Sequence, residues 1–309
     1  MPSRRGAHGT VTAVFWKHAV LSEPGEVNRE RMKNFLTFDI EEAFHSSNFL
    51  ETIPPDRWES LGGRVIHNTE RILERLAEVG LRATFFIVGW VAEHYPEVVR
   101  LIDGAGHETA AHTFAHRLIY EMTKAEFRSD IRRNVEAICS ITGKPVLGFR
   151  APSYTITPRT LWSLDILLEE GFRYDSSVYP IRYHSRYGFP GAPRLPYRHP
   201  NGLLEFPLPA ADILGQRLPV ATGVYFRVMP YALTRRLIRR INATGIPVAV
   251  NLHPWELDPD QPPLPIKPSL KWRHYYGLAR TEGKLRRLLA DFEFETLGEA
   301  ADAMLRTTR

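Results

Sequence analysis

Short apolar runs and longer amphipathic stretches alternate along most of this sequence. Three of the runs, residues 34–38, 83–88 and 247–252, are apolar at nearly every position, which is typical of strands buried in a parallel sheet. The stretches between the runs repeat apolar residues with the 3.6-residue period of helices. The clearest helical patterns lie near 63–79, 123–142 and 230–243. This alternation, without an internal repeat, predicts one α/β domain built as an irregular (β/α) barrel of about seven parallel strands.

Three segments depart from the alternation. Residues 1–31 are rich in Gly, Pro and charge, so we expect a disordered or mis-annotated N-terminal extension, with Met32 as an alternative start just before the first strand. Residues 178–223 and 254–280 are rich in prolines and aromatics, which favours loops that form the walls of a substrate groove. The folded domain is therefore expected to span residues 32–309.

Composition narrows the class of protein. The net charge is +5 and the pI about 9.3, but the basic residues are scattered and accompany no motif that reads RNA or DNA, so nucleic-acid binding is not expected. A single cysteine excludes an intrachain disulfide. No apolar run approaches the roughly 18 residues of a membrane span, and the N-terminus lacks the apolar segment of a signal peptide. We therefore expect a cytoplasmic protein, with the inner face of the membrane as a second setting.

Polar side chains follow the ends of five predicted strands. They are Asp39, His112, Arg150, Asp175 and His253. Parallel strands deliver chemistry at their C-terminal ends in α/β barrels and in open α/β sheets. We expect these side chains to meet at one edge of the sheet.

The strongest single signal is the pair His112 and His116. Their i, i+4 spacing would put two imidazoles on one face of a helical turn, close enough for one metal ion, although such a pair also arises by chance in a chain with 12 histidines. Asp39 and Glu41 form an i, i+2 carboxylate pair at a strand end. Two such carboxylates repel, so one as metal ligand and the other as general base would relieve the repulsion. A solvated acidic loop is the alternative, which the neighbouring Glu42 favours.

The remaining three residues have ordinary interpretations as well. Arg150 could hold a carboxylate in place or lie on the surface. His253 could be a general acid or a hydrogen-bonded core histidine. Asp175 could orient such a histidine, although Asp-Ser-Ser is also a turn signal. Taken jointly, the set contains two histidines and a carboxylate with the chemistry of a hydrolytic metal site, beside a base and an acid.

At these residues the chain resembles the polysaccharide deacetylase family, the NodB-homology or carbohydrate esterase 4 group. Thr37-Phe38-Asp39 looks like the family's first motif, His112-Thr113-Phe114-Ala115-His116 like its His-Ser/Thr-x-x-His motif, and Arg150-Ala151-Pro152 like its Arg-x-Pro motif. Asp175-Ser176-Ser177 and Leu252-His253 are similar to the fourth and fifth motifs, in the same order. The resemblance covers roughly residues 34–300 and implies a NodB-like barrel related to the TIM fold. The ending His253-Pro254-Trp255-Glu256 looks most like the exosortase-associated branch, which is found with bacterial exopolysaccharide loci.

The resemblance also implies a catalytic role for four of the residues. Asp39 would be the base that takes a proton from the attacking water, and Arg150 would position it. His253 would protonate the departing amine, and Asp175 would hold that histidine.

One departure from the family concerns the metal ligands. The commonest first motif has two adjacent aspartates, of which the second binds metal, whereas Ile40 occupies that position here. Glu41 is the substitute ligand we expect, with Glu42 as the lesser candidate. Together with His112 and His116 it would hold one divalent metal, Zn²⁺ first, with Co²⁺ or Ni²⁺ as alternatives.

Three further residues would meet the substrate. The backbone N–H near Ser153 would stabilise the oxyanion, and Tyr154 and Trp255 would contact the sugar. Ser153 stands where the commoner form of the motif has an aromatic residue.

These assignments predict a metal-dependent hydrolase that removes N-acetyl groups from amino sugars of a bacterial exopolysaccharide or lipid-linked glycan. The expected partner is an N-acetylated polysaccharide or oligosaccharide, with peripheral association with an exopolysaccharide assembly system. Two alternatives stay open. One is a C–N hydrolase of a small amide, and the other is a catalytically inactive glycan-binding homologue, which Ile40 suggests.

Overall fold

The computed structural model describes residues 32–49, 51–182 and 187–307. The expected N-terminal extension lies outside these residues. A curled sheet organises the described part of the chain. Its strands, together with one separate hairpin, are β1 (Lys33–Ile40), β2 (Thr84–Ile87), β3 (Glu108–Ala111), β4 (Gly148–Phe149), β5 (Tyr174–Asp175), β6 (Tyr197–Arg198), β7 (Leu204–Glu205), β8 (Ala210–Ile213), β9 (Gln216–Pro219), β10 (Ala249–Leu252) and β11 (Glu293–Glu295).

The sheet is almost entirely parallel. Seven strands lie side by side in the order β10-β1-β2-β3-β4-β5-β7, and each runs parallel to its neighbours. β11 runs parallel to the start of β1, β6 is antiparallel to β7, and β8 and β9 form the separate hairpin. Beyond β7 the backbone N–H of Val220 donates to Pro209 and that of Asn251 to Ala221, so the sheet curls back towards β10. This confirms the predicted irregular barrel of about seven parallel strands.

Helices cover the outside of the sheet. They are α1 (Val65–Ala77), α2 (Gly89–His94), α3 (Pro96–Gly104), α4 (Lys124–Thr142), α5 (Trp162–Glu169), α6 (Gly223–Val228), α7 (Tyr231–Asn242), α8 (Pro268–Tyr275), α9 (Leu278–Asp291) and α10 (Leu297–Thr307). The longest, α4, has clear local signals: Thr123 and Glu126 form a capping box at its start, and Gly143 ends it with a φ of 65°. Within the described ranges, none of these helices is long and apolar enough to cross a membrane.

The two segments predicted as groove loops contain more regular structure than their composition indicated. Residues 178–223 include β6, β7 and the β8–β9 hairpin, whereas 254–280 include a 3₁₀ turn at Pro254–Leu257 and helix α8. Helix α8 begins at Pro268, whose fixed φ suits the first turn of a helix. A proline that we interpreted as part of a loop therefore marks a helix start.

The side chains of β1 alternate between two layers of core. Leu36 and Ile40 pack into the outer core between the sheet and the helices. Phe35 faces the barrel interior, where it belongs to a cluster with residues of other strands and of α10. Because strand side chains alternate with a period of two, Asp39 shares the interior face with Phe35, and Glu41 continues it beyond the strand end. Ile40 is therefore a core residue, and the second carboxylate falls at position 41.

Candidate active site

One cavity of about 100 Å³ opens at the C-terminal ends of the parallel strands. It brings together most of the predicted site residues, which follow β1, β3, β4 and β10. The predicted residues that line it are Asp39, Glu41, His112, His116, Ser153, Tyr154, His253 and Trp255. Arg150 lies fully buried behind Asp39. Asp175 is not among the residues that line the cavity.

Glu41, His112 and His116 form the candidate metal centre. One ligand atom of each lies within 4.8 Å of the others, and all three residues are buried. Nε2 of His116 is 2.8 Å from Oε2 of Glu41. Bonds from Zn²⁺ to imidazole nitrogen and carboxylate oxygen are about 2.0–2.2 Å long. Two ligands of one such ion are therefore at most about 4.4 Å apart, so the three atoms are close enough to share an ion once the side chains move together by a few tenths of an ångström.

The hydrogen bonds around these ligands leave suitable atoms for a cation. Nδ1 of His112 donates to the carbonyl of Arg150 at 2.8 Å, which leaves Nε2 of that ring with its lone pair. Oε1 of Glu41 accepts from the indole N–H of Trp255 at 3.1 Å. Among the described residues, the buried Oε2 of Glu41 faces Nε2 of His116 at 2.8 Å and has no other donor. The donor set thus fits one divalent ion.

The ionisation states of the ligands agree with metal binding. Burial by itself would raise the pKa of Glu41, but His116 and His253 outweigh burial and hold this pKa well below its usual range. Burial lowers the pKa of His112 to about 4, despite the opposing charge of Asp39. The carboxylate is therefore ionised and the His112 imidazole neutral near pH 7, as metal coordination requires.

The loop between the two histidines is not the helical turn that their spacing predicted. Thr113 and His116 have φ angles of 58° and 50°, in the left-handed region that residues with a side chain rarely adopt. The first turn of α2 holds this loop, because the N–H groups of Gly89 and Trp90 donate to the carbonyls of Thr113 and Phe114. A strained loop, supported from outside, brings the two imidazoles together.

Asp39 is held at both carboxylate oxygens. Nη1 of Arg150 donates to Oδ1 at 2.9 Å, and the side-chain amide of Asn251 donates to Oδ2 at 2.8 Å. Nε2 of His112 and Nε2 of His253 lie 3.8 and 3.7 Å from Oδ2. Burial would raise the pKa of Asp39, but Arg150, His112 and His253 outweigh it and hold the pKa below its usual range. Asp39 is therefore an ionised carboxylate beside the candidate metal centre.

The buried guanidinium of Arg150 fixes this geometry. Nε donates to the carbonyl of Ser176 at 2.9 Å, and Nη2 donates to its hydroxyl at 2.8 Å. Nη1 also donates to Thr37 and Asn251, both at 2.8 Å. The guanidinium lies 4.1 Å from the ring centroid of Phe86. Each nitrogen of the guanidinium therefore donates at least one hydrogen bond. Its partners lie on β1, on β10 and just after β5, and together they fix its position next to Asp39.

Glu256 holds His253 on the other side of the cavity. Oε2 of Glu256 accepts from Nδ1 of His253 at 2.8 Å and from its backbone N–H at 3.1 Å. Oε1 of Glu256 accepts from Nε of the buried Arg227 at 2.6 Å. Burial would lower the pKa of His253, but Glu256, Glu41 and Asp39 outweigh it and raise this pKa to about 9. His253 is therefore protonated at neutral pH, with Nε2 directed to the two carboxylates of the cavity.

Two predicted carboxylates have other roles in the structure. Asp175 was expected to hold His253, but Oδ1 of Asp175 accepts from the hydroxyl of Ser177, which itself accepts from the N–H of Ala151. Asp175 therefore supports the turn after β4, and Glu256 replaces it as the partner of His253. Glu42, the lesser metal candidate, accepts two backbone N–H groups at the start of α1 at 2.7 and 2.8 Å, so it caps that helix.

The three predicted substrate residues differ in how they meet the cavity. Ser153 and Tyr154 have φ angles of 50° and 56°, so the strand end after β4 is a strained turn with both residues at the cavity wall. The hydroxyl of Tyr154 accepts from the amide of Asn251 at 2.8 Å, and this amide also holds Asp39. Trp255 is mostly buried and donates to Glu41. It therefore orients a candidate metal ligand as well as lining the cavity.

The sequence interpretation missed three residues of this site. Asn251 precedes His253 by two positions and so lies on the same face of β10, and it is a polar residue inside an otherwise apolar run. Glu256 follows His253 by three positions, a spacing that could have indicated a partner across a turn. Arg227 carried no comparable signal, because an arginine in an amphipathic pattern is normally exposed.

Two family models match the chain. Residues 60–170 match the polysaccharide deacetylase model, and residues 176–302 match a model described as a domain of unknown function, DUF3473. The first match supports the polysaccharide deacetylase family. It contains both candidate metal histidines and Arg150, the second match contains His253 and its partner Glu256, and the β1 carboxylates precede both.

Curated relatives and solved structures agree with this family. A peptidoglycan-N-acetylglucosamine deacetylase of Bacillus cereus is 27% identical over 174 residues, which are 52% of this chain and 62% of the relative. A peptidoglycan deacetylase of Helicobacter pylori is 33% identical over 108 residues, which are 35% of this chain and 36% of the relative. The chain thus spans less than two thirds of the length of these two relatives. The crystal structure of a putative polysaccharide deacetylase from Mycobacterium smegmatis shares the fold, with a TM-score of 0.59, 20% identity and 94% of each chain covered.

Proposed function

We propose that this protein is a metal-dependent hydrolase that removes N-acetyl groups from the amino sugars of a bacterial polysaccharide or lipid-linked glycan. The observation that carries the proposal is the cluster of Glu41, His112 and His116, with an ionised Asp39 and a protonated His253 beside it. An acetamide in the cavity would have both a base and an acid within reach, since Nε2 of His253 lies 3.7 Å from Oδ2 of Asp39. Amide hydrolysis needs both, because water must lose a proton while the amine gains one.

The chain's own residues divide the chemistry between them. Glu41, His112 and His116 would hold the divalent ion, which supplies a Lewis acid that polarises the carbonyl and acidifies water. Asp39 accepts the proton of the attacking water, and Arg150 keeps that carboxylate in place. His253 gives its proton at Nε2 to the leaving amine.

Two hydrogen-bond donors at the cavity fit these roles, one on His253 and one on the backbone of Ser153. Glu256 accepts from Nδ1 of His253, so the labile proton that faces the cavity is on Nε2. The backbone N–H of Ser153 would donate to the oxyanion, as donors fixed by a strained turn do in acyl transfer. Tyr154 and Trp255 would border the sugar that carries the acetamide.

The substrate class rests on the named activities of the relatives. Both curated relatives carry names of deacetylases that act on peptidoglycan, and another relative, from Bradyrhizobium, is named a chitooligosaccharide deacetylase. We therefore propose an N-acetylated polysaccharide or oligosaccharide as substrate, bound along walls formed by residues 178–223 and 254–280 of a domain that spans 32–309.

Our finer proposals concern the setting of the enzyme. The motif His253-Pro254-Trp255-Glu256 favours the exosortase-associated branch, and with it an exopolysaccharide as substrate and peripheral contact with its assembly system at the cytoplasmic side. Zn²⁺ is the metal we propose, since two imidazoles and a carboxylate are common ligands of a catalytic zinc site.

Metal content and acetate release, measured on the same purified samples, test the proposal. Wild type should bind about one metal per chain and release acetate from chitooligosaccharides. Glu41→Ala should lose both properties, whereas Asp39→Asn should keep the metal and lose turnover. Wild-type protein that binds metal but releases no acetate from any N-acetylated glycan would refute the deacetylase and favour a glycan-binding homologue.

The small cavity favours a second candidate, a C–N hydrolase of a small amide. A volume of about 100 Å³ would enclose a small cyclic amide more completely than a sugar chain. Both substrates would use the same metal, base and acid. Product analysis with small cyclic amides beside chitooligosaccharides separates the two candidates, because only one class should be turned over efficiently.

A further inference from the structure

Two aromatic side chains lie exposed next to the cavity wall. Trp272, on α8, is 58% exposed, and Tyr276, just after α8, is 39% exposed. Their rings stack, with centroids 5.1 Å apart and planes 28° apart. Arg273 lines the cavity. Because consecutive Cα atoms are about 3.8 Å apart, the aromatic pair begins one residue away from the cavity wall.

The backbone under this pair is clamped from inside the protein. Nη1 of Arg227 donates to the carbonyls of His274 and Tyr276, both at 2.8 Å, and Nη2 donates to the carbonyl of Arg273 at 3.0 Å. Nε of the same guanidinium holds Glu256, the partner of His253. One buried side chain therefore fixes the aromatic pair relative to the proposed acid. A surface fixed in this way loses little conformational entropy when a ligand binds.

The chemistry of the surface indicates its occupant. A pyranose ring has C–H groups on its faces and hydroxyls on its rim, so it fits an apolar aromatic face with polar groups around it. Arg273, which lies between the two aromatic residues in the chain, lines the cavity that would hold the acetamide. A glycan chain is the one ligand in the proposed function long enough to reach both places.

We propose that Trp272 and Tyr276 form a sugar subsite outside the cavity, which stacks against a second ring of the glycan whose acetylated unit lies in the cavity. This subsite rests on the proposed function and narrows it, because it selects oligomeric glycans over single sugars and small amides. Its contribution should therefore depend on the length of the substrate.

The test measures binding where turnover is removed. Dissociation constants of the monosaccharide N-acetylglucosamine and of its hexasaccharide are measured by calorimetry with metal-loaded Asp39→Asn protein, alone and with Trp272→Ala added. The hexasaccharide should bind about three- to tenfold more weakly without Trp272, the range given by one aromatic stacking contact. The monosaccharide constant should change less than twofold, because a single ring in the cavity does not reach Trp272. Trp272→Phe should restore most of the affinity for the hexasaccharide.

A control substitution and the measurement of acetate release separate a failure of the subsite from a failure of the proposed deacetylase activity. Leu233→Ala removes another exposed apolar side chain, 44% exposed on α7, and should leave both constants unchanged. Equal weakening of both ligands by Trp272→Ala, or none, would overturn the subsite even if wild type releases acetate. Length-dependent binding through Trp272 in a protein whose wild type releases no acetate would support the subsite and refute the deacetylase.

Discussion

The buried pair of Arg227 and Glu256 offers a quantitative test of how the site is supported. Both side chains are almost completely buried, and 2.6 Å separates Nε of Arg227 from Oε1 of Glu256. The substitution Glu256→Gln keeps the shape and the acceptor towards Arg227, but it removes the negative charge. Its amide nitrogen would also face the two N–H groups of His253 that now donate to Oε2.

The expected loss of stability follows from these contacts. Removing one member of a buried ion pair costs about 3–5 kcal/mol, because the other charge stays buried without compensation. Arg227 keeps its hydrogen bonds to three backbone carbonyls. We therefore expect the lower end of that range, about 3 kcal/mol. For a chain of this size, a loss of about 3 kcal/mol corresponds to a fall in Tm of about 5 °C.

A double-mutant cycle separates the ion pair from the shape of the site. The free energy of unfolding is measured by urea denaturation for wild type, Glu256→Gln, Arg227→Met and the double variant. Since each single substitution leaves a buried partner behind, the double variant should be more stable than the sum of the two losses by about 2–3 kcal/mol. Losses that add within about 0.5 kcal/mol would refute the reasoning, because they would mean that the two groups do not compensate each other.

Three further outcomes are expected. The pKa of His253 is raised from 6.5 to about 9, so its charge stabilises the metal-free protein fully below pH 6.5, and this stabilisation is lost as pH rises through 9. Urea denaturation should show the difference in free energy of unfolding between wild type and His253→Gln shrinking from pH 6.5 to 9. A difference that stays constant would contradict the assignment. Gly148→Ala should destabilise the fold by about 1–3 kcal/mol in thermal melts, because a Cβ there would lie 2.1 Å from the buried Tyr174 ring, whereas Gly104→Ala, with nothing within 4 Å, should be close to neutral. Zn²⁺ at 100 times its dissociation constant should raise the free energy of unfolding of stripped protein by about 2.7 kcal/mol, and an equal rise in His116→Ala would argue against the proposed ligand set.

Residues at strand ends were the part of the site that the sequence could predict. Asp39 and His253 follow long apolar runs, and parallel strands place such residues at one edge of a sheet whatever the details of packing. The i, i+2 spacing of Asp39 and Glu41 also predicted that both carboxylates lie on one face, because side chains alternate between the two faces of a strand. Strand-end position and periodicity therefore predicted that Asp39, Glu41 and His253 would lie at one edge of the sheet, whereas the choice of Glu41 as metal ligand came from the family resemblance.

Partnerships between side chains were harder to predict. Asp175 follows a strand as His253 does, but the orientation of its carboxylate depends on Ser177, and no pattern in the sequence indicates that contact. His112 and His116 do approach each other, but through left-handed residues and not through a helical turn. Hydrogen bonds of this kind are decided by tertiary packing, which single-sequence periodicity does not contain.

The pairing of β1 with β10 also has a consequence for the order of folding during synthesis. Asp39 and Asn251, which hydrogen-bond across these strands, are 212 residues apart in the chain. At about 5–20 residues per second, the ribosome needs about 10–40 s to make the segment between them. During that interval the first strand has an apolar edge and a carboxylate without their native neighbours. Contacts so distant in sequence also form slowly. We therefore expect the nascent chain to depend on chaperones until β10 has emerged, and the candidate active site to be the last part of the domain to assemble.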